Sequence, residues 1–370
     1  MSAPLIQIVP MLPPATCGVG DYALAVARVL RVEFGVDTVF LVANSRGESA
    51  GRVEAFATMR LESCSKEFLA EALCAATQGV EQPSVLLHLS PYGYSRQGCP
   101  YWILQGLRRW KRQKQTGRLV TMFHELYSGG PPWRKAFWFG PAQRVVVGGL
   151  ARESETAVTN VHLARTRLES MDRYKRGTVE VLPVPSTVGE PASPSALRER
   201  APVMVIFGLP ASRKRAYTSR VAELESACKK IRVDEVHDVG PLFDGIPERI
   251  GGVRVTKHGR LEPGALSALL SRSLVGFVDY PPALIGKSTI FAAYCAHRML
   301  PVVPEYSAAE SDGVRCGVHY YHAGRPARES VSCDPQQIAD AAYDWYRAHS
   351  LRAHARLFAS LYKCEVLCHA

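Results

Sequence analysis

Four consecutive residues, Gly286, Lys287, Ser288 and Thr289, combine groups that hold a phosphate: backbone amides, an ammonium and two hydroxyls. An apolar run at 274–278 and the turn Asp279-Tyr280-Pro281-Pro282 precede them. Ile290, Phe291, Tyr294, Cys295 and Met299 then recur at helical spacing. The four belong at a strand-to-helix junction, where unpaired N–H groups and the helix dipole favour an anion. A P-loop needs a glycine five positions ahead of the Gly-Lys pair. Pro281 stands there and has no N–H to offer, so a mononucleotide kinase or ATPase is disfavoured. The plainer alternative is a capped, buried helix with an incidental lysine.

Three other segments carry chemistry. The run at 203–207 ends in Gly208-Leu209-Pro210-Ala211-Ser212-Arg213-Lys214-Arg215. Gly208, Arg213 and Lys214 at a strand's carboxyl end suit a diphosphate, which arginine binds bidentately. A solvated basic turn is the alternative. His124 and Glu125 follow the apolar segment LVTMF and precede a Gly/Pro-rich loop, 127–133. A histidine at such a strand end donates to a ligand hydroxyl or takes its proton. The alternative is a histidine that orders the loop. Gly18 and Gly20 make a tight turn, and Asp21 is placed to cap the helix after it. This is no dinucleotide fingerprint: the third glycine is Ala23, and Val42, Ala43 and Asn44 stand where a carboxylate belongs ~20 residues on. A tight turn competes there with close approach of a ligand. No G-x-S-x-G elbow supports a hydrolase.

The elements that position these groups alternate. Strands are expected at 5–9, 38–42, 85–89, 119–123, 144–147 and 179–184, with helices near 22–31, 66–76, 101–113 and 162–169. A Pro/Ser/Gly-rich segment, 183–194, reads as a linker. A second alternation follows, with strands at 203–207, 235–239, 253–256, 274–279 and 300–303 and helices at 217–229, 263–271 and 288–298. Residues 335–367 read as helical. The fold class is α/β: two Rossmann-like, doubly wound domains facing a cleft, with C-terminal helices. The boundaries fall at 1–185, a linker at 186–200, 201–345, and a helix at 346–370 packing back on the first domain.

A chain of 370 residues, 47% hydrophobic, has room for two such domains. Net charge is +11, from 45 basic and 34 acidic side chains, which suits anionic partners. The ten cysteines form no C-x-x-C pair, which disfavours structural zinc and fits a reducing cytoplasm. No apolar stretch is long enough to span a membrane, and no signal peptide is evident. The segment YWILQGLRRWKRQKQTGR, from Tyr101, gathers tryptophans and basic residues. Such a helix can rest on an anionic membrane, each basic residue contributing ~1 kcal/mol. The favoured alternative puts its tryptophans in the core, as a crossover helix requires.

These segments together resemble the GT-B fold glycosyltransferases, in particular the group sharing the family-four pattern of bacterial polysaccharide synthesis. The first loop, PATCGVGDYA, is similar to that group's glycine loop near the acceptor; FHELY is similar to its cleft histidine; VIFGLPASRKR is similar to the opening of its nucleotide-sugar domain. Pro301-Val302-Val303 resembles the stretch after its late helix. The resemblance implies a hexosyl transfer from a nucleotide-sugar donor to a polysaccharide or lipid-linked acceptor. It implies a metal-independent reaction with retention, no resident cofactor, and a cytoplasmic location at the inner membrane face. Donor binding falls to Gly208, Arg213, Lys214, Lys287, Ser288 and Thr289. His124 and Glu125 are the catalytic candidates, and Gly18, Gly20 and Asp21 form the acceptor loop. No Asp-x-Asp motif for a divalent ion is present. One departure is plain: the group's two glutamates fall on Gly286 and Tyr294, with Glu305 and Glu310 the nearest substitutes by spacing. This supports an alternative, a non-catalytic GT-B-like partner protein. A nucleic-acid-binding protein is disfavoured because the basic residues are dispersed and no such module is recognisable.

Overall fold

The computed structural model describes residues 3–15, 17–43, 51–129, 133, 135–171, 178–322 and 334–363. The chain divides into two compact units: Met1–Leu182 with His354–Ala370, and Pro183–Ala353.

The first unit is built on an eight-stranded sheet among the described residues. Its strands are β1 (Leu5–Val9), β2 (Thr38–Val42), β3 (Gly51–Val53), β4 (Phe56–Arg60), β5 (Ser84–Leu89), β6 (Arg118–Phe123), β7 (Thr156–Thr159) and β8 (Thr178–Val181). The order is β3-β4-β2-β1-β5-β6-β7-β8. Only the β3–β4 hairpin is antiparallel. Parallel strands are covered on both faces, so β1 and β5 are buried throughout.

Helices Lys66–Ala76, Tyr101–Gln113 and His162–Glu169 have the bounds the periodicity predicts. In Tyr101–Gln113, Ile103, Leu104, Leu107 and Trp110 are buried. Arg108 pairs with Glu153 at 2.8 Å and Lys111 with Glu155 at 2.7 Å. The tryptophan side is therefore core, and two of the cations expected at a membrane are tied to carboxylates.

The strand expected at 144–147 is instead part of the helix Lys135–Glu153. Its β-branched run Val145-Val146-Val147 favours a strand locally, but a crossover is needed between β6 and β7. Val146, Val147, Leu150 and Ala151 make one buried helical stripe. The strand itself is β7, and β3 and β4 were also unexpected.

The second unit has a six-stranded sheet: β9 (Ala201–Phe207), β10 (Glu235–Val239), β11 (Arg249–Ile250), β12 (Val253–Gly259), β13 (Ser273–Phe277) and β14 (Leu300–Val302). The order is β11-β12-β10-β9-β13-β14, parallel apart from β11–β12. The helix expected at 217–229 is Val221–Ile231, and a separate short helix, Pro210–Tyr217, precedes it. The supposed linker is fastened to this unit. The Val184 amide donates to Gly286 O at 2.8 Å, and the Ser186 amide donates to the Tyr346 hydroxyl at 2.9 Å. That hydroxyl in turn donates to Glu190.

The C-terminal stretch is two helices, Pro335–Arg347 and Leu351–Lys363; residues 364–367 lie outside the described residues. His354, Phe358 and Tyr362 on the second of these belong to the first unit. Phe358 is buried, and Tyr362 donates to the Ala3 carbonyl. Among the described residues no helix is long and apolar enough to cross a membrane. The described cysteines, Cys17, Cys64, Cys74, Cys99, Cys228, Cys295 and Cys316, form no disulfide with one another; Cys333, Cys364 and Cys368 lie outside the described residues.

Candidate functional site

His124 and Glu125 stand at the carboxyl end of β6. The His124 ring is half-buried and stacked on that of His88, with Nε2 3.3 Å from His88 Nδ1. His88 Nε2 lies 2.8 Å from Gln7 Oε1, and Gln7 Nε2 donates to Thr38 Oγ1 at 3.3 Å. These partners fix the protons. The Gln7 oxygen only accepts, so His88 carries its proton on Nε2 and presents a bare Nδ1. His124 then donates through Nε2–H, which makes Nδ1 the basic nitrogen of its ring. Burial, and after it the neighbouring His124, push the His88 pKa well below the usual histidine value. His88 thus stays neutral and keeps the relay in one register.

Tyr22 closes this cluster. Its ring meets His88, His124 and His354 edge-on, at centroid distances of 5.6, 5.0 and 5.4 Å. Its hydroxyl is 2.6 Å from His354 Nδ1. Glu125 is exposed and accepts from Ser90 Oγ at 3.0 Å. Of the loop after it, residues 130–132 lie outside the described residues. His88, Gln7 and His354 escaped the sequence reading. The first two look like core positions of strands, and His354 meets Tyr22 across 332 positions.

The cap expected at Asp21 is corrected. The helix begins at Gly18, its cap position is Cys17, and Asp21 sits in the first turn rather than at the cap. Asn44, weighed above as a ribose-carboxylate position, lies outside the described residues. Gly20 is a packing residue: a Cβ there would overlap the Met11 carbonyl oxygen, while one on Gly18 would meet nothing within 4 Å. Gly20→Ala should therefore cost about 1–3 kcal/mol of stability, and Gly18→Ala almost nothing. Equal melting temperatures for the two variants in thermal denaturation would contradict this.

In the second unit, Gly208 follows β9 with φ +128°, and a Cβ there would come within 2.8 Å of Ile290 Cδ1. Only glycine allows the end of β9 to lie against the start of the helix Thr289–Ala296. Ser288 caps that helix, accepting from the Phe291 amide at 3.1 Å, and is buried. Its hydroxyl oxygen is thus engaged in the cap. The first-turn amides of Thr289 and Ile290 remain ahead of it as donors. Lys287 ends the tight turn Pro282–Lys287 and is half-buried; Thr289 and Lys214 are exposed.

Arg213 requires a correction. Its side chain and that of Asp238, its ion-pair partner, are both 0% exposed. It also donates to Gly208 O at 2.9 Å and to Pro241 O. Tyr217 shares Asp238, donating at 2.7 Å. Arg213 is thus a buried brace beneath Gly208 and not a cation presented to a diphosphate. Arg215 binds Asp279 at 2.6 Å. The positions of the missing glutamates are interior: the Gly286 carbonyl accepts from Val184, and Tyr294 donates to Val205 O at 2.8 Å and Phe277 O at 3.2 Å. Glu305 and Glu310 are ion-paired with Arg220 and Arg315, at 3.6 and 3.4 Å. Among the described residues no group of three His, Cys, Asp or Glu side chains is placed to hold a metal ion.

Two largely parallel sheets, one in each unit, place these strand ends and helix starts. The chain has the GT-B fold. It is similar to an α,α-trehalose-phosphate synthase (UDP-forming) from Burkholderia vietnamiensis, with TM-score 0.59 and 11% identity, over 98% of this chain and 100% of that one. It is similar to an α-glucosyltransferase in complex with UDP-glucose and DNA containing an abasic site (TM-score 0.57, 12% identity, 97% and 99% covered). A third is the pneumococcal O-GlcNAc transferase GtfA in complex with UDP and GlcNAc (TM-score 0.55, 9% identity, 96% and 95% covered). No family model matches the chain, and no curated protein does. The likeness is of fold and does not single out the family-four group.

Proposed function

We propose that the protein is a glycosyltransferase that moves a sugar from a UDP-sugar to a hydroxyl of a glycan or lipid-linked acceptor. The observation that carries this reading is the junction in the second unit where Gly208 lies on Ile290, with Lys287 and the Thr289 amide at the helix entrance. In the transfer, the bond from the anomeric carbon to the diphosphate oxygen breaks and a bond to the acceptor oxygen forms. The acceptor proton leaves with the diphosphate. Helix-start amides, Lys287 and Lys214 stabilise the charge on that leaving group, in a metal-independent scheme. His124 supports the sugar through its Nδ1. Retention, a cytoplasmic location and contact with an anionic membrane belong to the same proposal, on the resemblance stated above.

Lys287→Ala should weaken UDP binding roughly 10- to 100-fold, the range of one or two charge-assisted hydrogen bonds, while leaving the protein folded. Calorimetric titration with UDP and UDP-glucose checks this; unchanged affinity removes Lys287 from the site. The second reading, a GT-B-like protein that binds nucleotide without turnover, is favoured by the burial of Arg213 and the absence of carboxylates at Gly286 and Tyr294. An acceptor panel of oligosaccharides, lipid-linked sugars and duplex DNA separates the two; DNA is included because a similar structure holds it. UDP-sugar binding with no UDP release from any of them would favour the second reading.

A further inference from the structure

The carboxyl edge of the first unit's sheet carries a cavity of about 780 Å³. It lies between the loop after β1, the end of β2, the β3–β4 hairpin and the segment after β5. Among the described residues its charged lining residues are Arg60 and Arg96, and no Asp or Glu lines it. Neither guanidinium has an ion-pair partner among the described residues. This is not the habit of the neighbourhood. Arg28 and Arg31, which reach the same hairpin at Glu54 and Ala55, are each matched by a carboxylate, Glu54 and Asp37.

The wall that bears Arg96 is held in place. Tyr94 donates to Ile8 O at 3.1 Å and His88 O at 2.9 Å, which clamps the turn after β5 onto the sheet. Buried Gln143 donates to Gln97 O at 2.8 Å and to the Tyr92 hydroxyl at 3.1 Å, on either side of Arg96. Arg60, at the end of β4, is fixed by its register opposite Val42. Two cations on ordered backbone, facing a common space with no counter-charge among the described residues, are arranged for an anion. The space is far larger than a lone phosphate and falls in the range of small-molecule sites.

We infer that this cavity binds the anionic end of the acceptor, a phosphate ester held by Arg60 and Arg96. The word acceptor rests on the glycosyltransferase reading; the binding itself does not. The ester comes either from a soluble sugar phosphate or from a phosphorylated lipid. The full chain is titrated, without donor, with glucose 1-phosphate, glucose and inorganic phosphate, and with vesicles of phosphatidylcholine with and without phosphatidic acid. Glucose 1-phosphate should bind at least roughly 10-fold tighter than glucose, and the R60Q/R96Q variant should lose roughly 10-fold per arginine. The R60K/R96K variant, which keeps the charge, should recover part of that loss, and UDP affinity should be unchanged in both. Binding to phosphatidic acid vesicles alone, lost in R60Q/R96Q, supports the site and assigns the ester to a lipid. Equal affinity for glucose and its phosphate without vesicle binding, or wild-type binding by R60Q/R96Q, overturns the inference. Failure of wild-type protein to bind UDP would instead count against the glycosyltransferase reading and leave this site standing.

Discussion

Replacing His124 with alanine should lower the turnover number for sugar transfer by about 10²- to 10⁴-fold while leaving UDP affinity within about twofold. The expectation comes from how its ring is held. Thr38, Gln7 and His88 form a line of hydrogen bonds that ends on His124 Nε2. Each member dictates the proton position of the next, so the reactive edge of His124 has one identity. Tyr22 fixes the ring's tilt from the side. Such a relay is more than loop anchoring requires. Gln7→Leu should act through the same line. It removes the acceptor that sets the His88 tautomer, and should lower turnover by less than the direct deletion. Single-turnover kinetics with saturating donor, paired with UDP titration, measures both. Wild-type turnover in His124→Ala would make it a structural residue.

Arg213→Ala should destabilise the second unit by about 3–5 kcal/mol, because it strands a buried carboxylate. For a unit of this size that is a fall of roughly 10 °C in melting temperature. Burial pushes the Asp238 carboxyl up, while the Tyr217 hydrogen bond and Arg213 pull it back. Without Arg213 the upward push prevails, and Asp238 must take a proton or stay charged at a cost. The damage should reach Gly208, whose carbonyl loses a donor. UDP affinity should fall less than in Lys287→Ala. Differential scanning calorimetry and UDP titration decide the matter. Unchanged stability with abolished UDP binding would restore Arg213 as a ligand cation.

The contrast between Arg213 and Lys287 shows what a sequence exposes and what it hides. The run Arg213-Lys214-Arg215 reads as three equivalent cations. On a helix, consecutive residues point some 100° apart, so one of three can face inward. Ala216 and Tyr217 share the buried side with Arg213. Asp238, buried in β10, is the partner that an inward cation needs. The helices were legible because amphipathic stripes over many residues outvote single positions, as in Lys66–Ala76. The 144–147 segment was misread because four residues cannot show a period. His124 was visible as a polar residue ending an apolar strand. The groups that set its proton were not, since His88 and Gln7 lie within strands and His354 comes from the far end of the sequence. The cavity carrying Arg60 and Arg96 likewise joins four segments that sequence order keeps apart.

Tyr22 and His354 also set a timetable. A ribosome delivers residues 1–182 first, and the helix carrying His354, Phe358 and Tyr362 follows only after 183–353 has emerged. The second unit is contiguous and can close during synthesis. The first must wait, with the Tyr22 hydroxyl unmatched and the seat of Phe358 open, for a segment made much later. A nascent chain at that stage is half mature. The part proposed to grip the nucleotide is finished while the surroundings of His124 are still being assembled.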